Sequence, residues 1–412
     1  MKANILLIEQ FLPFPLNNGG AQAIFNGILA LKEKYQVFLF FVQDVPEDDL
    51  KKFHAAIGQD VVILPQPPKP QSSPLKLLNR LALSFYYRTH SDKVGLIPFA
   101  DRASEHIFPN YILEYVNTLI KRYAIKVVQV EMAWLMSLVL CLPKGVKKVY
   151  VHHELRFVRN SLEVQAVGTN LFRQSAIAVN KILEIGLLNQ YDTVITLSEI
   201  DKKKLIEAGV KVPICSSFAI VNTNNTISKV ESKSHFLSFI GPEFHVPNKV
   251  GIMWFLENCW NQLLATNSDM KLKIIGKWDE ETKRELSKRY KNLCFTGFVD
   301  DLAIELCGSI MIVPITIGSG IRMKILEAAS MGIPVVSTTV GAEGLPLKSG
   351  ENCFLADEPK DFVDSIIKLN NQNLCKQFVE SLNQEIKAHY SLEALRHNRT
   401  KIFDKLLNDE LS

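Results

Sequence analysis

Two successive sets of short apolar runs, each interleaved with longer amphipathic segments, predict an α/β protein made of two doubly wound, Rossmann-like domains. Three observations carry this expectation. The apolar runs are rich in β-branched residues and nearly continuous in apolar character, as strands buried on both faces of a parallel sheet are. Helical segments separate the runs, and strand–helix alternation implies a parallel sheet covered by helices. The chain has 412 residues, too many for one ordinary core and comfortable for two domains of roughly 200 residues.

The first set is NILLI (4–8), VFLFFV (37–42), VVIL (61–64), KVVQV (126–130), KVYV (148–151) and TVITL (193–197), with helices expected at 20–34, 111–122 and 199–208. PQPPKPQSSP (65–74) reads as a loop inside the first domain, and the Asn- and Ser-rich stretch 216–234 reads as the linker. The second set is HFLSFIG (235–241), KLKIIG (271–276), NLCFTG (292–297), SIMIVP (309–314) and IPVVST (333–338). Residues Leu392 to Leu407 read as a terminal helix. The domains are therefore expected at 1–222 and 223–390, with 391–412 packing back on the first. Open α/β sheets bind ligands outside the carboxyl ends of their strands, so the two domains are expected to face a shared cleft.

Composition removes several function classes. A formal net charge of +4 without a dominant basic tract gives no footprint for nucleic acid. The seven Cys are scattered, form no CxxC and mostly sit in apolar runs, as reduced buried thiols of a cytoplasmic protein do. The first apolar run is short and Glu9 interrupts it, so it reads as a strand and not a signal peptide. The longest uncharged stretches, near 132–143 and 309–321, are too short to span a membrane.

The most informative stretch is VPITIGSGIRMKILEAASMGIPVVSTTVGAEG (313–344). Pro314 ends a strand, and Gly318 and Gly320 form a loop whose backbone can approach a ligand closely. A helix is expected to follow, with Ile321, Ile325, Ala328 and Ala329 on its buried face. Its N-terminus offers free N–H groups and positive dipole to an anion. Arg322 and Lys324 in its first turn oppose that dipole, which points to an anion, a diphosphate, as their partner. Glu327, one turn on, can accept from a hydroxyl pair. The bland alternative is a solvated helix start beside a tight turn.

On these residues the chain resembles the family 4 type of retaining glycosyltransferases, which adopt the GT-B fold. More narrowly, 318–344 resembles GGGTRxKxLEAMAxGxPVVSTxxGxEG, the common form in the bacterial polysaccharide-assembly branch, with Ser319 and Ile321 as departures. The resemblance implies that Arg322 and Lys324 hold the donor phosphates and Glu327 the ribose. Many relatives carry a second Glu where this chain has Ser319, and the narrower branch lacks it too. FIGPEFHVPNKVGIMWFLENCW (239–260) resembles the branch's GSMxxxPNxxAVxWFxxxVxP, with Gly241 and Asn248 at the crevice. FTGFVDDL (295–302) resembles the GxVxDL element, with Val299 beside the nucleobase and Asp300 and Asp301 capping the next helix. They are not read as a metal-binding pair.

In the first domain, Gly19 and Gly20 lie between strand and helix, and the resemblance sets them opposite the donor phosphate or acceptor. KVYVHHELRFVRN (148–160) delivers His152, His153 and Glu154 at a strand end, where relatives carry an HD or HDxE group lining the sugar site. Arg156 or Arg159 could meet an anion. Three consecutive residues converge poorly on one ion, so no metal is expected. LSEIDKKKLIEAG (197–209) resembles the SExDxxxL element, with Ser198 capping the helix, Asp201 completing a capping box, and Ser198 and Glu199 open to the cleft as the alternative.

The resemblance thus implies a metal-independent transfer of a sugar from a nucleotide diphosphate sugar to a saccharide or lipid-linked acceptor, with no cofactor. A sugar-nucleotide epimerase and an exported sugar-binding protein are the competing classes. The segment PLKLLNRLALSFYYR (74–88) sets Lys76, Arg80 and Arg88 on one stripe beside Leu77, Leu78, Leu81 and Phe85. It reads either as a packed helix or as a peripheral contact with the inner face of the cell membrane.

Overall fold

A computed structural model describes residues 2–16, 18–68, 107–220, 236–299, 301–318 and 320–411. The amphipathic segment 74–88, the later part of the Pro-rich loop, the linker from 221 on, Asp300 and Ser319 lie outside the described residues.

The chain divides into two compact units. Unit 1 comprises 1–196, 202–216 and 399–412; unit 2 comprises 197–201 and 217–398. Among the described residues of unit 1, seven parallel strands run in the order β3-β2-β1-β4-β5-β6-β7. They are β1 (Asn4–Glu9), β2 (Gln36–Phe41), β3 (Val62–Ile63), β4 (Val127–Glu131), β5 (Lys147–His152), β6 (Thr193–Thr196) and β7 (Ile214–Ser216). The helices are α1 (Gly19–Lys32), α2 (Glu47–Ile57), α3 (Asn110–Arg122), α4 (Arg156–Val167), α5 (Leu171–Leu188) and α6 (Glu199–Ala208). The uncharged stretch after β4 winds as a 3₁₀ segment, Ala133–Cys141. Leu6, Ile8, Phe38, Phe40, Val128, Val130 and Tyr150 belong to one buried cluster of this sheet, which is why these runs carry almost no polar residues.

In unit 2 the described strands run β10-β9-β8-β11-β12-β13, all parallel. They are β8 (Phe236–Ile240), β9 (Lys271–Ile275), β10 (Leu293–Gly297), β11 (Ser309–Val313), β12 (Val335–Ser337) and β13 (Phe354–Leu355). Helices α7 (Val246–Phe255), α8 (Asn261–Thr266), α9 (Glu280–Arg289), α10 (Leu302–Leu306), α11 (Met323–Ser330), α12 (Pro359–Lys368), α13 (Gln372–His389) and α14 (Leu392–Leu407) follow. Phe255 anchors the core, with its ring centroid 5.7 Å from Phe362 and 6.2 Å from Trp260.

Two details differ from the sequence expectation. β7 and β13 pair over three and two residues, too few for a periodic signal. The helix after Gly320 starts at Met323, so Arg322 occupies the N-cap position with φ −86° and ψ 86°, outside the first turn. Ile321 likewise precedes the helix and is half-buried, whereas Ile325, Ala328 and Ala329 are buried as the helical spacing requires.

The last helix is shared between the two units, with residues from 399 on belonging to unit 1. Tyr35 Oη donates to Asp404 Oδ1 at 2.8 Å, and the Phe403 ring lies 5.7 Å from the Tyr35 ring. Lys34 pairs with Asp404 and Lys147 with Asp409.

Candidate functional site

Among the described strands, each sheet has one place where the chain reverses its direction of winding. In unit 2 that place lies between β8 and β11, and in unit 1 between β1 and β4. The segments that leave these strands carry most of the candidate residues.

In unit 2, β8 turns at Gly241. Its N–H donates to Ile275 O at 2.8 Å, and its carbonyl accepts from Trp278 Nε1 at 2.9 Å. A Cβ on Gly241 would collide with the Asn248 side chain, so only glycine lets Asn248 lie across this turn. Asn248 is buried; its Nδ2 donates to Pro242 O at 3.1 Å, and its Oδ1 accepts from Lys324 Nζ at 2.9 Å. The Lys324 ammonium also stands 4.4 Å from the Phe239 ring centroid. Helix α7 is pressed onto the exit of β11, since a Cβ on Gly251 would come within 2.6 Å of Pro314 O.

The Gly-rich loop after β11 holds Arg322. Gly318 and Gly320 have φ of 136° and 81°, which favour glycine. A Cβ on Gly318 would stand 2.7 Å from Arg322 Nη2, and Arg322 Nη1 donates to Gly320 O at 2.6 Å. The guanidinium is buried beside its own loop. Lys324 and Arg322 thus place two cationic groups at the start of α11. Burial, with the Arg322 charge adding to it and Glu327 opposing, pulls the Lys324 ammonium down to about 7. Glu327 is half-buried one turn along. Val299 is half-buried just beyond β10.

Two capping expectations are met locally. Asp301 Oδ1 accepts from Ala303 N at 2.9 Å and Ile304 N at 3.2 Å, at the start of α10. Ser198 Oγ accepts from Asp201 N at 3.0 Å and donates to Asp201 Oδ2 at 2.8 Å. Gly344 packs on Ser198, where a Cβ would meet the Ser198 Cβ at 3.0 Å.

In unit 1, Gly19 and Gly20 open α1. The Asn18 side chain caps this helix by accepting from Ala21 N at 2.9 Å, a role the sequence reading did not assign. Gly20 faces Met132, just past β4, across a gap that a Cβ would close to 3.4 Å.

The HHE cluster diverges. His152 is buried, with Nε2 2.8 Å from Glu184 Oε1 on α5. Glu184 also accepts from Arg156 N at 3.2 Å and Phe157 N at 3.0 Å, so it caps α4. His153 is the more accessible of the two; its Nε2 lies 2.5 Å from Glu131 Oε2 at the end of β4. Glu154 pairs with Arg159 Nη1 at 2.8 Å. The three side chains therefore go to three different partners.

Glu9, Glu131 and Glu184 escaped the sequence reading as site residues. Glu9 and Glu131 end neighbouring strands, and Ile8 pairs with Val130 in register. The readable signal was a carboxylate closing a run of apolar residues. Glu184 lies mid-helix and gave no signal.

Residues 235–372 match the family described as "Glycosyl transferases group 1". An uncharacterised 44.6 kDa protein in the cps region of Klebsiella pneumoniae is 30% identical over 137 residues, 31% of this chain and 35% of that protein. The matched segment thus spans about a third of the curated relative. Among solved structures, TarM aligns with a TM-score of 0.71 at 13% identity over 99% of each chain. A variant of S. aureus TarM was crystallised with fondaparinux, alpha-GlcNAc-glycerol and UDP. Sucrose-phosphate synthase of Thermosynechococcus elongatus aligns with a TM-score of 0.70 at 13% identity, over 99% of this chain and 100% of that one. The fold is GT-B.

Proposed function

We propose that this protein is a glycosyltransferase that moves a sugar from a nucleotide diphosphate sugar to a saccharide or lipid-linked acceptor, with retention, in the making of a cell-surface polysaccharide or glycolipid. The observation that carries the reading is the pair Arg322 and Lys324, gathered with Asn248 and the Gly318–Gly320 loop at the β8–β11 reversal of unit 2. Two cationic groups held together at a helix start suit a diphosphate. The family match contains every one of these residues, the relative from a cps region supports a polysaccharide product, and UDP in a TarM complex supports a nucleotide donor.

The chemistry follows from charge. As the glycosidic bond of the donor breaks, negative charge builds on the leaving diphosphate and the anomeric carbon becomes oxocarbenium-like. Arg322, Lys324 and the first turn of α11 stabilise that charge without reorganising. Glu327 holds the ribose, Gly241 and Val299 border the base, and Gly19 and Gly20 meet the phosphate or acceptor. His153, the accessible member of the HHE cluster, faces a sugar hydroxyl. No cofactor or metal enters. The segment 74–88 is the candidate for peripheral membrane contact.

Calorimetry with UDP and other nucleoside diphosphates tests the reading. Arg322→Ala should cost turnover about 10²-fold or more, the scale for one preorganised donor, and should weaken diphosphate binding. Unchanged affinity in both Arg322→Ala and Lys324→Ala refutes the clamp. Product analysis with donor alone separates a transferase from an epimerase, which needs no acceptor.

A further inference from the structure

Glu9 and Glu131 form a pair of carboxyl groups at the carboxyl edge of the unit 1 sheet. They end adjacent parallel strands one step past the Ile8–Val130 register pair. Both are buried, Glu9 completely. Their surroundings differ. Glu131 Oε1 accepts from Gln129 Nε2 at 2.5 Å, Oε2 meets His153 Nε2 at 2.5 Å, and Arg399 on α14 lies within reach of its charge. Among the described residues, neither Glu9 oxygen has a hydrogen-bond partner. Two buried neighbouring carboxyl groups resist ionising together, and burial without a donor on either oxygen holds the proton on Glu9.

We infer that Glu9 is a positioning residue for His153: as a neutral acid it adds no charge beside Glu131, whose carboxyl group fixes the His153 ring. The inference rests on the reading of His153 as a group facing a sugar hydroxyl. Burial first, and the Glu131 charge second, hold the Glu9 carboxyl well above the ordinary carboxylate range. The groups around the pair are Gln129 from β4, Tyr150 from β5, His153 beyond β5, and Arg399 from α14. If Glu9 ionised, a second charge would enter the same buried place and push Glu131 away from His153. The site therefore has an alkaline limit set by a residue that touches no substrate.

Linkage gives the sign. An acid whose folded pKa is raised holds its proton where the unfolded chain has released it, so the wild type loses stability as pH rises from the ordinary carboxylate range to the folded value. Glutamine has the shape of the neutral acid and cannot ionise. Glu9→Gln should therefore gain thermal stability over the wild type as pH rises above about 4.5, with no gain below it.

Three measurements test the inference. Infrared difference spectra of wild type against Glu9→Gln should show the carbonyl stretch of an un-ionised acid at pH 7, present only in the wild type. Melting curves across pH should show the widening gap. In turnover assays Glu9→Leu should lower kcat about 10²-fold with donor KM little changed, the scale of a misplaced group. Glu9→Gln should recover most of that loss and lack the alkaline decline. The first two need no donor, so they stand or fall independently of the transferase reading, and they apply even if Glu9→Leu fails to fold. No acid band in the wild type, or full kcat in a folded Glu9→Leu, overturns the inference.

Discussion

Lys324 carries two demands that pull against each other. Its side chain is half-buried beside Arg322, and the ammonium sits near 7 without ligand. A diphosphate brings negative charge and raises it, so binding above pH 7 must take up a proton. Calorimetry at pH 8 in buffers of different ionisation enthalpy should show this uptake, and affinity should fall as pH rises through 7. Lys324→Met should abolish the uptake. The same depression means the folded protein carries a penalty for the charged lysine that is complete below pH 7 and fades as pH rises toward 10.5. Lys324→Met should therefore raise the melting temperature of the ligand-free protein at pH 6 while weakening nucleotide binding. The two histidines part in a similar way. His152 ties β5 to Glu184 and thereby to the start of α4. His152→Ala leaves a buried carboxylate without that partner and should destabilise the fold by about 1–3 kcal/mol. His153→Ala also takes a partner from a buried carboxyl group, Glu131, so what sets it apart is a lower kcat in the protein that stays folded. A single HHE string cannot reveal this division, because the partners that create it lie 22 and 32 residues away.

At the scale of elements, most of the architecture was legible because buried parallel strands write themselves as continuous apolar runs. The predicted helix at 199–208 and the terminal helix at 392–407 coincide with α6 and α14. What stayed hidden was whatever depends on a neighbour. β7 and β13 are strands only because a longer strand lies beside them. The start of α11 shifted because Gly318 and Gly320 take left-handed backbone, which delays the helix to Met323. Gly251 carries no signal of its own in the sequence, yet it is the point where α7 touches Pro314 O. Gly251→Val should force α7 off β11, costing about 1–3 kcal/mol as overpacking does. Because Asn248 lies one turn away on the same helix and holds Lys324, the same variant should also weaken nucleoside diphosphate binding. Gly145→Ala, at a position with open space around the missing Cβ, is the control that should do neither.

For the whole molecule, the feature with the widest reach is the final helix. Unit 1 is closed by residues beyond 399, and the bond from Tyr35 to Asp404 spans 369 positions of sequence. Synthesis is vectorial. At about 5–20 residues per second, the ribosome needs roughly 20–70 s to travel from one partner to the other. Throughout that interval the first unit waits with Tyr35, a buried side chain in the finished protein, still uncovered. The order of synthesis and the order of completion are therefore reversed: the domain made first is finished last. A chain truncated after residue 398 and released from the ribosome should show unit 1 cut readily by protease while unit 2 resists, and the full chain should protect both. A holdase chaperone should bind the truncated form and not the full chain, in which Phe403 covers Tyr35.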